Sequence, residues 1–300
     1  VLAIAFVVID LGQPLRLWEL FAYSNMSSPL MWDIIVLGVY LILSIVYLWG
    51  TLRFEQGKGS ERALRVISTV ALVTAILVHS VTAWIFGLQM GRELWHTALL
   101  APWFVSSALV CGVALVLVVV IALRKAGYMK LDQENITKMV KLLGVFILVD
   151  LYFFGCDLLT EGFPGGSGAD VVAMLTMGPL APFFWLEIVL CIFAAVVAFV
   201  PKLRTNRLIV IASIAAIIAI LCKRIQLLFG GFQTANLDYP GIMTSASMPN
   251  WTAGMGAYQS LVYYPNLFEI ALTLCVVGFG VLLLLLGIKY LPLKPTDESH

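Results

Sequence analysis

The stretch WFVSSALVCGVALVLVVVIAL, residues 103–123, runs 21 residues without a charged side chain and stops at Arg124 and Lys125. At 1.5 Å per helical residue it is about 30 Å long, the thickness of the hydrocarbon core of a bilayer. It therefore reads as a membrane-spanning helix ending on a basic pair. Working outward, six more runs of this kind lie roughly at 31–52, 66–88, 139–160, 180–200, 207–229 and 267–290. An eighth, VLAIAFVVI at 1–9, is too short to cross and reads as the C-terminal half of a helix whose beginning is missing. A cleaved signal peptide fits it poorly, because neither a charged leading region nor a small-residue cleavage pattern is visible. The expected fold class is all-α, a polytopic membrane protein with about eight transmembrane helices, the first one truncated.

Composition agrees with that class. Hydrophobic residues make up 61% of the 300 and charged residues 12%, with a mean hydropathy of +1.00. A water-soluble core of this size does not need so much apolar side chain, so the solvent is lipid. The net charge of +1 says nothing about nucleic acid, and no basic patch suggests it, so no nucleic-acid partner is expected.

Loop charge orients the chain. Of 18 Lys and Arg, 14 lie in alternate connections. Arg53, Lys58, Arg62 and Arg65 follow the run at 31–52, and Arg124, Lys125, Lys130, Lys138 and Lys141 follow the run at 103–123. Lys202, Arg204 and Arg207 fill the short link near 200, and Lys289 and Lys294 come after the last run. The intervening loops are nearly bare: 10–30 holds Arg16, 89–102 holds Arg92, and 161–179 and 230–266 hold none. The positive-inside rule puts the basic loops and the tail 291–300 in the cytoplasm. The charge-poor loops then face outward. Segment 10–32, with Trp18, Phe21, Tyr23 and Trp32, suits a surface helix at the interface. Segment 230–266 suits an ordered cap or docking surface.

Cys111, Cys156, Cys191, Cys222 and Cys275 all fall inside the apolar runs with no paired spacing, so they are expected to pack rather than to ligate iron–sulfur or zinc. Histidine is equally sparse, with His79, His96 and His300 alone. Only His79 is deep in a run, which leaves a single bis-His haem from His79 and His96 as the one haem arrangement open.

Ionisable groups inside the runs carry the functional information, because each costs at least about 2.5–3.5 kcal/mol on insertion scales. Measured from the outer end, His79 lies about nine residues in, Asp150 near the middle and Glu187 about a third of the way across. Arg224 and Lys223 lie five or six residues in, and Lys223 is expected to snorkel outward. Asp33, Asp157 and Glu269 stand between interfacial capping or snorkelling and a functional role. Three proton acceptors, His79, Asp150 and Glu187, with Arg224 beneath aromatic residues, suit a quinone. Such a flat, lipid-delivered ligand needs one or two hydrogen-bond partners and a proton route to water. Proton path candidates are Asp33, Asp150, Glu187 and Glu269.

Ordered motifs carry a resemblance. Asp10-Leu11-Gly12-Gln13-Pro14-Leu15-Arg16 followed by Ser28-Pro29-Leu30-Met31-Trp32 resembles the DLGxPxR and SPMxW pattern of the NrfD/PsrC family of quinone-interacting membrane subunits. His79-Ser80-Val81-Thr82-Ala83-Trp84 resembles the family's histidine helix segment. Trp95-His96-Thr97 and Ala101-Pro102-Trp103-Phe104 resemble its next element. Lys223-Arg224 stands where members related to alternative complex III have an acidic residue and Arg. Pro265 and Glu269 resemble the entry to the last core helix.

The resemblance implies two four-helix bundles, here about 1–123 and about 139–290, within one integral membrane domain. It also implies a membrane anchor that holds no haem or iron–sulfur cluster itself. Such an anchor docks a ferredoxin-like iron–sulfur subunit and, through it, a molybdopterin enzyme or multihaem cytochrome. The expected site is menaquinone or ubiquinone near His79 and Trp84, with Asp150, Asp157, Glu187 and Arg224, and no metal. The expected docking residues are Arg16, Trp18, Arg92 and His96. The expected location is a bacterial or archaeal cytoplasmic membrane, with the functional face periplasmic and activity only within the complex. Two rival readings are a secondary transporter and a haem b anchor. A transporter site normally sits at the midplane between broken helices, whereas here Gly and Pro clusters punctuate the ends of the runs.

Overall fold

The computed structural model describes residues 6, 8–9, 14–128, 131–233 and 266–290. The run at 1–9 that was expected to be a partial helix, the charge-poor segment 234–265 and the tail 291–300 lie wholly or largely outside them. The described residues form nine α-helices: α1 Glu19–Ala22, α2 Pro29–Glu55, α3 Glu61–Gly87, α4 Leu100–Lys125, α5 Gln133–Gly162, α6 Ser167–Met177, α7 Ala181–Phe199, α8 Asn206–Gln233 and α9 Leu267–Tyr290. Seven of them, all but α1 and α6, are long and apolar enough to cross a membrane. Each runs unbroken. The protein is an all-α polytopic membrane protein.

One element was not expected. The charge-poor loop 161–179 contains α6, whose Val171 and Leu175, one turn apart, are both buried. Gly165 and Gly166, with φ of 83° and 72°, make the reversal between α5 and α6 in the left-handed region that favours glycine. Trp185 Nε1 on α7 donates to Thr176 O, 3.1 Å away, and ties the short helix down.

By its contacts the chain divides into two compact units, 1–86 with 265–291, and 87–264 with 292–300. In the first unit, the long helices α2, α3 and α9 bury few side chains: Met31, Thr74, Val81, Ala83 and Val276. In the second unit α4, α5, α7 and α8 form a four-helix bundle, each helix packing on two of the others.

The bundle's register is legible in the spacing of its buried residues. On α5 these include Ile136, Val140, Leu143, Ile147, Asp150, Phe154 and Asp157, a row in alternating steps of four and three, with Gly144 beside it. The same row on α8 is Ala212, Ala216, Ala219, Lys223 and Gln226, and on α7 Phe184, Glu187, Cys191, Ala194 and Ala198, flanked on both helices by further buried residues. Steps of four and three keep one stripe turned toward its neighbours in near-parallel packing. Small residues bring the helices close at the basic end, where a Cβ on Gly144 of α5 would lie 2.8 Å from Ala198 Cβ. The apolar core, including Val110, Leu117, Ile136, Leu143 and Ile209, fills that half. Arg204 donates to Ala198 O and Phe199 O, both at 2.9 Å, and so closes the C-terminus of α7. Toward the charge-poor end the same stripes turn polar.

Candidate functional site

In the charge-poor half of the bundle, every helix carries a polar or charged group at the same level. Asp150 of α5 and Lys223 of α8 form a direct ion pair, and Glu187 Oε1 of α7 lies 3.5 Å from Lys223 Nζ. Ser106 of α4 donates to Asp150 Oδ1 at 2.8 Å, and Gln226 Nε2 donates to Glu187 Oε2 at 2.8 Å. Asp150 and Glu187 are fully buried and Lys223 is 3% exposed. Arg224, the next residue on α8, donates to Ser107 Oγ at 2.8 Å and stacks 3.7 Å over Phe104. Two acids and two bases thus share one layer and balance in formal charge.

One helical turn nearer the charge-poor end lies an aromatic layer. Trp103 precedes Ser106, Phe154 follows Asp150 and Phe184 precedes Glu187, each by three or four residues, so all three lie on the charge-poor side of the ionic groups. Trp103 and Phe154 stack with centroids 5.3 Å apart, and Phe154 and Phe184 tilt at 5.4 Å. Lys223 Nζ sits 4.6 Å from the Trp103 ring centroid, a cation–π contact in a desolvated place. Two buried atoms in these layers accept or donate no hydrogen bond among the described residues: Trp103 Nε1 and Glu187 Oε1. The pair at 3.5 Å is an ion pair rather than a good hydrogen bond. Placed singly, the four ionisable groups would cost on the order of 10 kcal/mol on insertion scales. Mutual pairing and hydrogen bonds from Ser106, Ser107 and Gln226 offset much of that.

Beyond the aromatic layer the loop 88–99 is tied to the bundle. Thr97 Oγ1 donates to the buried Asp157 at 2.8 Å, Trp95 Nε1 donates to Leu227 O at 2.7 Å, and Arg92 donates to Gly231 O at 3.2 Å. The second and third reach carbonyls near the C-terminus of α8, and Gly231 O lies in its last turn, where backbone acceptors run short of partners and a cation such as Arg92 is favoured. Thr97→Val leaves a buried carboxylate oxygen without its donor, so the melting of the purified protein should reflect a loss of about 1–3 kcal/mol. Protease nicking of the 88–99 loop should rise in parallel.

In the first unit a smaller polar pair joins two helices. Thr82 Oγ1 on α3 donates to Asp33 Oδ1 on α2 at 2.6 Å. His79 precedes Thr82 by three residues, on the same side of α3, within electrostatic reach of Asp33. Trp84 is 39% exposed. Glu269 caps the start of α9, its Oε2 accepting from Asn266 N at 3.1 Å.

The structure thus brings Asp150, Glu187 and Arg224 together in one unit, while His79, Asp33, Trp84 and Glu269 belong to the other. One expectation needs correction. Lys223 does not snorkel: α8 continues to Gln233, leaving Lys223 ten residues from its end, and the four-three stripe from Ala212 turns its side chain inward onto Asp150. Asp157, whose depth left it between a cap and a functional group, is buried and accepts from Thr97. Among the cysteines, Cys191 and Cys222 pack as expected, whereas Cys275 is exposed on α9. Of the docking residues, Trp18 is 59% exposed and Arg16 lies 3.8 Å from Glu19, while Arg92 is engaged with Gly231 O and His96 Nδ1 lies 3.2 Å from Gly87 O. Sequence reading passed over Ser106, Ser107 and Gln226. Their signal was the stripe spacing, which puts each polar residue on the buried face.

The family model described as polysulphide reductase, NrfD, matches residues 1–236. The chain is 30% identical to a Halobacterium salinarum protein whose name makes it a dimethyl sulfoxide reductase membrane subunit, across 95% of this chain and 70% of that one. It is 24% identical to the Hdr-like menaquinol oxidoreductase integral membrane subunit of Archaeoglobus fulgidus, over 98% and 72% of the two chains. It is 23% identical to the integral membrane subunit of a menaquinone reductase from Nitratidesulfovibrio vulgaris, over 99% and 72%. With most of its length matched in this way, and seven helices suited to a bilayer, the chain is a multi-pass membrane protein of the polysulphide reductase NrfD family.

Proposed function

We propose that this chain is the quinone-binding membrane anchor of a multi-subunit respiratory oxidoreductase, active only within that complex. It exchanges electrons between menaquinone or ubiquinone and an iron–sulfur partner subunit on the periplasmic side. A molybdopterin enzyme or multihaem cytochrome stands behind that partner. The observation that carries the reading is the buried, hydrogen-bonded acid–base layer of Asp150, Lys223 and Glu187 beneath an aromatic layer. A structural anchor gains nothing from four ionisable groups in lipid. Support also comes from relatives whose names include a menaquinol oxidoreductase, a menaquinone reductase and a dimethyl sulfoxide reductase.

In quinol oxidation two electrons pass to the partner's nearest cluster and two protons leave the hydroxyl oxygens. His79, whose imidazole can accept or donate near neutral pH, is the group assigned to the ring oxygen. Asp33, with its Thr82 partner, receives the proton next in the first unit, and Asp150 and Glu187 form the second unit's exchangeable pair. Running in reverse, the same groups supply protons to a quinone. Loop charge assigns the site to the outer leaflet, so protons exchange with the periplasm.

His79→Ala should lower quinol-linked turnover of the intact complex by at least about a hundredfold, the low end of general acid–base contributions. Assembly, and the partner's activity with artificial dyes, should stay unchanged. Full quinol turnover in that variant removes His79 from the reaction.

A further inference from the structure

At the basic end of the second unit a groove of about 610 Å³ opens between α4 and α8. Its walls are apolar, from Val118, Ile121, Ala122, Val210 and Ile211, and its mouth is formed by Lys125, Arg207 and Asn206. The two cations stand at the ends of two different helices, one on each side of the opening.

Hydrogen bonds define what the mouth can offer. Arg124 donates to Gln133 Oε1 at 2.6 Å, so Gln133 Nε2 is the donor to Asn206 Oδ1 at 3.1 Å. That chain links α4, α5 and α8 and leaves the NH₂ group of Asn206 as the side to meet a ligand. The mouth therefore presents donors and positive charge, with no carboxylate in the lining. A groove in the first unit, lined by Glu61, Arg62 and Arg65 on α3, differs in that Glu61 accepts from Arg65 at 2.8 Å and neutralises it.

We infer that the α4–α8 groove binds one anionic phospholipid, its phosphate held by Lys125, Arg207 and Asn206 and its acyl chains along Val118, Val210 and Ile211. Charge complementarity selects the headgroup, and the apolar walls select a lipid over a soluble phosphate. Basic pockets between transmembrane helices are a recurrent way to hold such headgroups. Binding there would clamp α4 to α8, the two helices that carry Ser106, Ser107, Lys223 and Arg224 in the layer above.

The test uses the full chain in its complex, reconstituted in nanodiscs of phosphatidylcholine alone or with phosphatidylglycerol or cardiolipin. Native mass spectrometry reads retained lipid and thermal melting reads its effect. The wild type should keep one anionic lipid per chain after exchange into phosphatidylcholine and melt higher when anionic lipid is present. Lys125→Gln with Arg207→Gln should weaken retention roughly thirtyfold, from about 1 kcal/mol for each cation. Lys138→Gln, a cation paired with Glu134 outside the groove, should change nothing. Equal melting of the wild type in all three lipids overturns the proposal, as does undiminished retention by the double variant. Inorganic phosphate reproducing the stabilisation also overturns it, since the site would then not read the acyl chains.

Discussion

Lys223→Met is expected to cost about 3–5 kcal/mol of stability, the range for removing one partner of a buried ion pair. The side chains of Asp150 and Glu187 are each 1% exposed, so neither can recruit water when the ammonium is gone. Met keeps the length of the stem and its contact with Trp103, which limits the packing loss. The missing quantity is then the charge. Adding Asp150→Asn should recover most of the loss, because a neutral amide can still accept from Ser106 Oγ, which now lies 2.8 Å from Asp150. Melting of wild type, single and double variants in the same detergent checks this. Equal melting of Lys223→Met and wild type would mean the layer is held by something other than this pair.

The second large effect is expected from a single methyl group. At Gly231, near the C-terminal end of α8, a Cβ would fall inside the indole of Trp95, on its Nε1 and Cε2. Neither backbone nor indole can yield in place, since Trp95 is buried and bonded through Nε1 to Leu227 O, one turn earlier on the same helix. Gly231→Ala must expel the indole. It then loses that hydrogen bond, the Arg92 contact to Gly231 O and the packing of the 88–99 loop. Overpacking and a broken buried hydrogen bond together come to about 3 kcal/mol. A combined Trp95→Ala and Gly231→Ala chain should be less destabilised than the sum of the two single changes, because the indole that clashes is gone. Additive losses would show that Trp95 does not lie over Gly231.

Several helices were legible almost to the residue, the last run at 267–290 coinciding with α9, because lipid imposes a long uncharged run on any helix that crosses it. Asp150, Glu187 and Arg224 were legible for the same reason inverted: a charge in such a run stands out. Lys223 was misread because position within a run says nothing about which way a side chain turns. The C-terminal end of α8 was also placed four residues too early, at 229, since Gly230 and Gly231 resemble a stop signal. In the fold Gly231 is needed for the close approach of Trp95 and the helix continues through it. Asp157 beside Phe154 and Asp150 was a matter of period. Its four-three spacing from Ile147 onward marks the buried face, whereas depth alone left it between a cap and a functional group.

By itself the chain of residues determined the number and length of the described membrane helices, their basic and charge-poor ends, and which ionisable groups lie inside lipid. These follow from the cost of exposing charge and unpaired backbone to hydrocarbon, which acts on each segment separately. Only the tertiary structure decided that Lys223 belongs to Asp150 and Glu187, that Ser106 and Gln226 complete their hydrogen bonds, and that an aromatic layer covers them. Partners from four helices far apart in the chain meet only when the apolar stripes pack, and it is that packing, not any local signal, that brings the four charges to one level.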